Sequence, residues 1–377
     1  MINPVWESHL QWKNNFENPS LMIKKDGEKH FEKVQEKTAS SALKHLMTFL
    51  YQGKTALVSS LDEIDVIGHR IVHGGRFFSE SVIITPQVKE KIRLLSELAP
   101  LHNLPELEAV EILEQLCKKT PQIAVFDTSF HHTLPLATQI YPGPYKWYEE
   151  GIQRYGFHGI SFQYCSKRGA EILQCDPNGL RMVICHLGSG ASLCAVKDGQ
   201  SIDTTMGFTP LEGLMMDTRS GSIDPGIVLY LLGKKKKNLE ELSHELYKES
   251  GLLGISGVSS DMRDVIEKSL KGDIRASTAL DIYIHRLNTL IGSMIASLKG
   301  IDVLIFTAGI GENAPLIRER VCNAFSFLDM KLDKEKNEQI SSEDRELSIK
   351  SSKLKVLLIH TQEAFEIARE CWKRITL

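Results

Sequence analysis

The chain has 377 residues, of which 42% are hydrophobic and 25% are charged, and its formal net charge is −3 at pH 7. A chain of this length can form two domains and bury a sizeable core. The near-neutral balance gives no electrostatic basis for binding nucleic acid or a membrane surface, so the composition favours small-molecule partners.

Three features of the sequence indicate the cellular compartment: the cysteine pattern, the N-terminal segment and the length of the apolar runs. The seven cysteines form no Cys-x-x-Cys pair and show no zinc-ligand spacing, and most lie among apolar residues. We therefore expect reduced, buried thiols. The sequence shows neither a signal peptide nor an apolar run long enough to cross a bilayer, which predicts a cytoplasmic protein.

The first elements are predicted close to the N terminus. PVWESHLQWKN and LMIKKDGEKHFEKVQ each predict one strand, and SALKHLMTFLYQ predicts an amphipathic helix. The next segment, EIDVIGHRIVHGG (63–75), predicts a buried strand whose end contains Arg70.

A helix and a further strand follow. PELEAVEILEQLCKK predicts a helix with Pro105 in its first turn. QIAVFDTSFHHTLP predicts a strand in which Asp127 comes directly after four apolar residues. An α/β protein exposes side chains at this point, the carboxyl end of its sheet.

The second half repeats this organisation. MVICHLGSGASLCAV predicts a hairpin with a Gly-Ser-Gly turn, and LDIYIHRLNTLIGSMIASLKG predicts a long helix. IDVLIFTAGIGEN predicts a strand and a glycine turn, and KLKVLLIHTQEAFEIARECWKRI predicts the last strand and the last helix. Mixed sheets flanked by helices thus occur twice, which indicates two α/β domains with a cleft between them.

The glycine turn at Gly309 and Gly311 is a candidate anion site. It lies in FTAGIGENAPLIRERV, between an apolar strand and a helical pattern. The first N–H groups of a helix lack internal partners and carry the positive end of the helix dipole, so such a turn suits phosphate. A lone Gly-x-Gly is as often an ordinary turn, and by itself this feature leaves both possibilities open.

Polar side chains recur in glycine-rich turns after apolar strands, while the common catalytic motifs are absent. The sequence has no Walker-type phosphate loop, no His-Glu-x-x-His and no Gly-x-Ser-x-Gly. Each polar residue alone is better explained by a structural role. Together, arginines, imidazoles, a carboxylate and glycine turns without an evident nucleophile are the groups that phosphoryl transfer requires.

Nine stretches carry a resemblance to a known family, in family order from about residue 63 to residue 370. They are GHRIVHGG, LAPLHN, FDTSFHHTLP, RYGFHGIS, CHLGSGASL, TTMGFTPLEGLMMDTRSGSIDPGI, GLLGISGVSSDMRDV, FTAGIGENAPLIRERV and TQEAFEIARE. In these stretches the sequence resembles the acetate kinase family.

The resemblance implies a fold and a reaction. The fold is that of sugar kinases, actin and the heat-shock chaperone ATPases, with two ribonuclease-H-like domains closing over ATP. We expect the domains at residues 1–130 and 131–363, with a C-terminal helix at 364–377 that packs back on the first. The reaction is reversible phosphoryl transfer from ATP to acetate, giving acetyl phosphate and ADP, with Mg²⁺ or alternatively Mn²⁺, in a homodimer.

The resemblance also implies roles for individual residues. Asp127 is the expected catalytic carboxylate, Arg70 and Arg219 hold the substrate and the transferring phosphoryl group, and His158 stabilises the transition state. The acetate-binding residues, besides Arg70, are Val72, Leu101, Phe157 and Pro210. The nucleotide-binding residues are His186, Leu187, Gly188, Ser189, Gly190, Asp261, Met262, Arg263, Gly309, Ile310, Gly311, Glu312 and Asn313. The metal-supporting residue is Glu363.

The sequence also departs from the family. Members begin with a strand that leads into Asn-x-Gly-Ser-Ser-Ser-x-Lys, which contacts magnesium and phosphate, and this sequence lacks that motif. Ser189, Asp217 and Phe162 stand where asparagine, glycine and histidine are usual, and a carboxylate at Asp217 would repel a nearby anion. Two alternatives stay open: a truncated or non-catalytic protein that binds nucleotide or acyl phosphate, and a kinase of propionate, butyrate or branched acids.

Overall fold

The structure is a computed structural model that describes residues 4–13, 17–36, 38–233 and 237–376. The chain folds into two compact units, Met1–Phe126 with Ala364–Leu377, and Asp127–Glu363. The chain thus passes into the second unit after Phe126, whereas the sequence placed this boundary after residue 130.

The described part of the first unit begins with an antiparallel meander of β1 (Trp6–Lys13), β2 (Glu17–Lys25) and β3 (Glu28–Lys33). Asp26 and Gly27 separate β2 from β3, with φ values of +51° and +88°. Two successive residues at positive φ form the type of turn that closes a tight hairpin, and Asp-Gly is one of its preferred sequences. The prediction of a single strand over LMIKKDGEKHFEKVQ was therefore wrong.

A second sheet of this unit carries the chain toward the candidate site. Its order is β4-β6-β5, with β4 (Ile67–Ile71) parallel to β6 (Gln122–Phe126) and β5 (Val82–Ile83) antiparallel to it. The rings of Phe78 and Phe126 stack at 4.4 Å in the core under this sheet. The helices of this part of the chain are α1 (Ala39–Thr48), α2 (Pro86–Leu94) and α3 (Pro100–Leu116).

The start of α3 differs from the prediction. The helix has Pro100 at its first turn, so that Pro105 lies inside it. Proline is favoured at the first helical position because its missing N–H would have no partner there. Both prolines precede apolar residues at helical spacing. The sequence pattern placed the start of the helix at Pro105, and this prediction was wrong.

The second unit is built around a mixed sheet in the order β11-β12-β10-β7-β8-β9. The antiparallel meander β7-β8-β9 is continued by β10 and β12, which run parallel to β7, while β11 runs antiparallel to β12. This arrangement confirms the α/β class. The strands are β7 (Arg181–Leu187), β8 (Ala191–Lys197), β9 (Gln200–Thr204), β10 (Val303–Thr307), β11 (Arg345–Glu346) and β12 (Lys355–Leu358).

Helices cover this sheet. Every residue of β10 is buried, as expected for a central strand covered on both faces. The helices are α4 (Leu136–Gln139), α5 (Tyr145–Glu149), α6 (Gly159–Leu173), α7 (Pro225–Gly233), α8 (Leu239–Lys248), α9 (Gly251–Ser256), α10 (Met262–Leu270), α11 (Ile274–Leu298), α12 (Ala308–Asn313), α13 (Pro315–Ala324) and α14 (Lys334–Glu338). Among them, α6 packs on β7 and β10, and α11 packs on β8 and β9.

The last helix, α15 (Glu363–Thr376), returns to the first unit from Ala364 onward. It packs on β4 so closely that a Cβ atom at Gly68 would lie 2.4 Å from Cγ2 of Ile367 and 2.7 Å from Sγ of Cys371. A glycine in a strand interior often marks such a close approach. The absence of a side chain at Gly68 is therefore what allows this helix to dock.

Two further expectations concern the cysteines and membranes. All seven cysteines are free thiols, and each is buried except Cys175, which is exposed. Across the described ranges, no helix is both long enough and apolar enough to span a membrane.

We predict that Gly68→Ala lowers the free energy of unfolding by about 1–3 kcal/mol, because the new methyl group overpacks the contact with Ile367 and Cys371. Urea unfolding followed by circular dichroism measures the change. Gly292→Ala is the control, since nothing lies within 4 Å of its Cβ position on α11, and this variant should be neutral or stabilising. Equal stability of the two variants would contradict the proposed docking of α15.

Candidate functional site

The turn between β7 and β8 presents backbone groups with a single side chain. The N–H of Gly188 donates to the carbonyl of Gly190 at 3.2 Å, which closes the turn around Ser189. The predicted hairpin is confirmed, with Leu187 opposite Ala191 in the register. The side chain of Leu187 is fully buried and anchors the hairpin in the core.

Two histidines stack beside this turn. His158 lies directly before α6 in a left-handed conformation, with a φ of +58°. Its Nδ1 is 2.8 Å from Oγ of Ser192, and its ring stacks on the ring of His186 at 4.2 Å. Nδ1 of His186 is in turn 2.9 Å from Oγ of Ser161. Each ring is thus oriented by a hydroxyl group.

The side chains of His158 and Arg219 converge at Gly190. A Cβ atom built at this glycine would lie 3.4 Å from Nε2 of His158 and 3.5 Å from Nη1 of Arg219. The predicted His158 and Arg219 are therefore brought together at the hairpin turn. A guanidinium and an imidazole nitrogen over an open backbone turn are suited to binding the oxygens of a phosphoryl group.

The guanidinium of Arg219 lies in a largely buried environment. Its Nη1 donates to the carbonyl of Pro210 at 3.0 Å. Burial lowers the pKa of Arg219, and the nearby carboxylate of Asp217 acts in the opposite direction. An arginine side chain remains protonated in such a setting, so the site keeps a fixed positive charge. Asp217, expected from the sequence to repel an anion, thus also stabilises the cation that would bind one.

A pocket of about 760 Å³ opens next to the hairpin, within the second unit. Its walls come from the β7–β8 turn, the start of α10 and the segment around α12. The lining residues that the sequence predicted are Gly188, Ser189, Asp261, Met262, Arg263, Gly309, Ile310 and Asn313. The lining residues that it did not predict as ligand-binding are Asp217, Ser260, Ile266, Ala314, Pro315 and Leu316. Ile266 follows Met262 by one helical turn, so the period of α10 was a usable signal for it.

Asp261 and Arg263 shape the mouth of the pocket at the start of α10. Asp261 caps this helix by accepting the N–H of Arg263 at 2.9 Å. The two side chains form an ion pair at 2.5 Å, and these hydrogen bonds lower the pKa of Asp261. The pair fixes a charged edge beside the apolar wall of Met262 and Ile266.

The Gly309–Asn313 segment differs from the prediction in one respect. Helix α12 begins at Ala308, so both glycines lie inside the helix rather than in a turn before it. Ala308 has a φ of +64°, and its N–H donates to Oε1 of Glu312 at 2.9 Å. The same oxygen accepts the N–H of Thr361 at 3.2 Å. Glu312 and the buried Gly311 thus support the wall from behind, and neither lines the pocket.

Asp127 and Phe157 both belong to the second unit and lie close to the start of α6 along the chain or through a hydrogen bond. Asp127 directly follows β6, is 1% exposed, and accepts the N–H of Gly159 through its carbonyl at 2.8 Å. Phe157 is 2% exposed and precedes His158. The fold therefore fixes the backbone of the predicted catalytic carboxylate to the start of the helix that follows His158.

The remaining predicted residues are Arg70, Val72 and Leu101 of the first unit and Glu363 at the end of the second. Arg70 is an exposed residue of β4, and Val72 is buried, with its N–H donating to Oε2 of Glu106 at 3.0 Å. Leu101 belongs to α3, and its side chain lies outside what the structure describes. Glu363 is the last residue of the second unit and the first of α15.

Comparison with known proteins decides the family. The model of the Acetokinase family matches residues 3–369. The chain belongs to the acetokinase family. It is 51% identical over 370 residues to an acetate kinase of Trichormus variabilis and 50% identical over 369 residues to one of Microcystis aeruginosa. These alignments cover 98% of this chain and 91% and 92% of the respective relatives.

Solved structures of the family agree with this assignment. The crystal structure of Porphyromonas gingivalis acetate kinase matches with a TM-score of 0.91 at 37% identity, covering 98% of this chain and 93% of that one. A propionate kinase from Francisella tularensis matches with a TM-score of 0.90, also at 37% identity and with the same coverage. The two-domain fold expected from the sequence is thereby confirmed.

A buried histidine of this family member was missed by the sequence reasoning. Nε2 of His131 lies 3.1 Å from the carbonyl of Phe157, and Nδ1 lies 2.8 Å from Oγ of Ser201. Since a carbonyl only accepts, Nε2 carries the proton and Nδ1 accepts from the serine. His131 thus holds the backbone next to His158. Its only sequence signal was its place in FDTSFHHTLP, shared with the exposed His132.

We predict that His131 makes stability depend on pH. Complete burial lowers the pKa of His131 from 6.5 to about 4. The native protein keeps the ring neutral while the unfolded chain binds a proton near pH 6.5, so stability is lost as the pH falls between these values. Between pH 7 and pH 4.5, the free energy of unfolding should fall by about 2–3 kcal/mol less in His131→Gln than in the parent chain.

Urea unfolding at the two pH values measures this difference. His132→Gln is the matched control, because His132 is the exposed neighbour in the same segment, and it should retain the pH dependence of the parent chain. The assignment fails if His131→Gln and His132→Gln lose stability to the same extent on acidification.

Proposed function

We propose that this chain is an acetate kinase that transfers the γ-phosphoryl group of ATP to acetate and also catalyses the reverse reaction. A carboxylate oxygen of acetate forms the new bond to the γ-phosphorus. The bond from that phosphorus to the β–γ bridging oxygen breaks, and its electron pair stays on ADP. The observation that carries the proposal is the convergence of His158 and Arg219 at Gly190, beside the pocket of a chain that belongs to the acetokinase family.

The pocket suits a nucleotide. Met262, Ile266 and Leu316 supply apolar surface for the base, and Asn313 and Asp261 supply polar groups. The backbone of Gly188 and Ser189 faces the same space without large side chains, so it can approach the phosphates closely. We assign the base to the side of α10 and the phosphates to the hairpin.

Catalysis in this reaction requires neutralising and positioning the moving phosphoryl group. Arg219 and Nε2 of His158 are assigned to its equatorial oxygens, because both reach Gly190. Arg70 is assigned to the carboxylate of acetate and the same phosphoryl group, by its place in the family motif. Asp127 is assigned as the catalytic carboxylate at the end of β6.

ATP or ADP and a divalent cation are implied by family membership, and we propose Mg²⁺. Within the described residues, no group of three or more His, Cys, Asp or Glu side chains could hold a metal alone. This fits Mg²⁺ on a nucleotide, which binds one or two carboxylates together with phosphates and water. Asp127 and Glu363 are the carboxylates that we assign to it. The cation would neutralise phosphate charge.

The acid specificity is assigned to Val72, Leu101, Phe157 and Pro210. Val72 and Phe157 are 4% and 2% exposed, and Pro210 is also buried. Apolar contacts discriminate between acids that differ by one methylene by only about 1–3 kcal/mol. We therefore propose acetate as the preferred acid and propionate as a slower substrate.

We predict that Arg219→Ala lowers kcat by about 10²- to 10³-fold while KM for ATP changes little, because its contact is made to charge that develops in the transition state. Acetyl phosphate formed from acetate and MgATP is trapped with hydroxylamine and measured by its colour with ferric ion. Arg263→Ala serves for comparison, since this exposed residue borders the pocket, and it should change KM for ATP more than kcat. A near-normal kcat in Arg219→Ala would remove this residue from the mechanism.

We also propose a homodimer that is formed through α7. The helix has the sequence PGIVLYLLG, and none of its residues is buried. Ile227, Leu229 and Tyr230 are 47%, 71% and 53% exposed. Soluble monomers rarely leave such apolar surface uncovered, which favours a second copy of the chain as its partner.

We predict that Leu229→Lys weakens the dimer at least about thirtyfold, as expected for an apolar side chain at the centre of an interface. Sedimentation equilibrium measures the mass against the 42.4 kDa of one chain. Leu270→Lys is the control, because Leu270 is 80% exposed and lies on α10 rather than α7. A parent chain that sediments as a monomer, or equal dissociation of both variants, would contradict this interface.

A further inference from the structure

The segment that carries Arg219 is bonded to the start of α9 through its backbone. The N–H groups of Ser250, Leu252 and Leu253 donate to the carbonyls of Thr218, Met216 and Asp217 at 2.9, 2.9 and 3.0 Å, respectively. The first N–H groups of a helix have no partner inside the helix. Here the Arg219 segment supplies the missing acceptors, so α9 and this segment fix each other.

The same segment is bonded to the end of α8. The N–H of Ser220 donates to the carbonyl of Leu246 at 3.0 Å, and the hydroxyl of Thr218 donates to the carbonyl of Tyr247 at 2.9 Å. The last carbonyls of a helix likewise lack internal partners. We call residues 216–220, with their acceptors and donors in residues 246–253, the Arg219 clasp.

The clasp also reaches the hairpin and closes on itself. The N–H of Asp217 points to the carbonyl of Ser189 at 3.4 Å, and the N–H of Met216 donates to the carbonyl of Arg219 at 3.1 Å. The backbone around Arg219 is thus held by α8 and α9 on one side and by the hairpin turn at Ser189 on the other. The guanidinium of Arg219 lies over the same turn.

Gly251 is the point of closest approach in the clasp. Its φ is +61°, and a Cβ atom would lie 2.3 Å from the carbonyl oxygen of Met216, 2.9 Å from that of Arg219 and 3.0 Å from that of Asp217. All three are backbone atoms, which cannot rotate away as the end of a side chain can. A side chain at this position must push the whole segment and shift Arg219 with it.

We propose that Gly251 is a positioning residue for phosphoryl transfer, because only a residue without a side chain lets the clasp hold the guanidinium of Arg219 over Gly190. The inference rests on the proposed function and adds a residue that never touches substrate. A displacement of about 1 Å in a group that contacts the transition state can cost about 10²-fold in rate.

The test compares Gly251→Ala with Gly257→Ala. Gly257 ends the same helix with a φ of +65°, but its Cβ would meet the guanidinium of Arg275 at 2.7 Å, which is the far end of a flexible side chain. Both variants carry a similar backbone strain. We expect Gly251→Ala to lose about 10²-fold in kcat with KM for ATP nearly unchanged, and Gly257→Ala to keep kcat with a smaller loss of Tm.

A milder pair of variants covers the case in which Gly251→Ala folds poorly. Thr218→Val removes the hydroxyl that donates to Tyr247 and preserves the shape of the side chain, whereas Thr218→Ser keeps the donor. The clasp predicts a several-fold loss of kcat in Thr218→Val with an unchanged KM for ATP, and recovery of kcat in Thr218→Ser. Equal kcat in the two threonine variants, or equal kcat in the two glycine variants, would overturn the proposal.

A binding readout separates this inference from the proposed function. Inorganic phosphate should raise the Tm of the parent chain and of Gly257→Ala, and raise it less in Gly251→Ala and Arg219→Ala. If the parent forms no acetyl phosphate but this pattern holds, the proposed reaction is wrong and the clasp stands. If Gly251→Ala shows the full phosphate shift of the parent, the clasp is wrong whether or not the parent is active.

Discussion

The site depends on the convergence of His158 and Arg219 at the β7–β8 turn. A Cβ atom at Gly190 would be in van der Waals contact with both side chains, 3.4 Å from Nε2 of His158 and 3.5 Å from Nη1 of Arg219. The backbone of the β7–β8 turn therefore forms one side of the site. The imidazole of His158 and the guanidinium of Arg219 form the other side. A group with several acceptor oxygens, such as a phosphoryl group, suits this arrangement. Contacts with Ser192, His186 and the carbonyl of Pro210 hold these two side chains in place.

Each of the two donors is fixed by contacts from distant parts of the chain. His158 is held by the hydroxyl of Ser192 and by stacking on His186. Arg219 is held through the backbone of its own segment, and its cation is desolvated by burial while Asp217 stabilises it. Arg219 and Asp217 are both half-buried, so their charges are less screened than at the surface, and the guanidinium remains available to an anionic ligand. Asp217 therefore need not prevent phosphate binding.

Much of this arrangement was predictable because its parts are local. Continuous apolar runs followed by glycine or a polar residue marked β6, β7 and β10, and hence the positions of Asp127 and the hairpin. The role of Glu312 was not predictable, because its carboxylate bridges Ala308 and Thr361, which is 49 residues away. The contact of Gly251 with the Arg219 segment is equally non-local, and no periodicity encodes it. Domain membership of the C-terminal helix came from the family resemblance rather than from local pattern.

If His158 and Arg219 act in phosphoryl transfer, they bind the transition state more tightly than the substrates. The most direct measurement is the affinity of the parent chain and of Arg219→Ala for ADP alone, and for ADP with acetate, Mg²⁺ and aluminium fluoride, by isothermal titration calorimetry. The aluminium fluoride complex mimics the phosphoryl group in transfer, and such analogues bind far more tightly than substrates when a site is complementary to the transition state. We expect Arg219→Ala to keep the affinity for ADP and to lose the extra affinity for the complex. A parent chain that gains no affinity from acetate and aluminium fluoride, or a variant that retains this gain, would contradict this expectation.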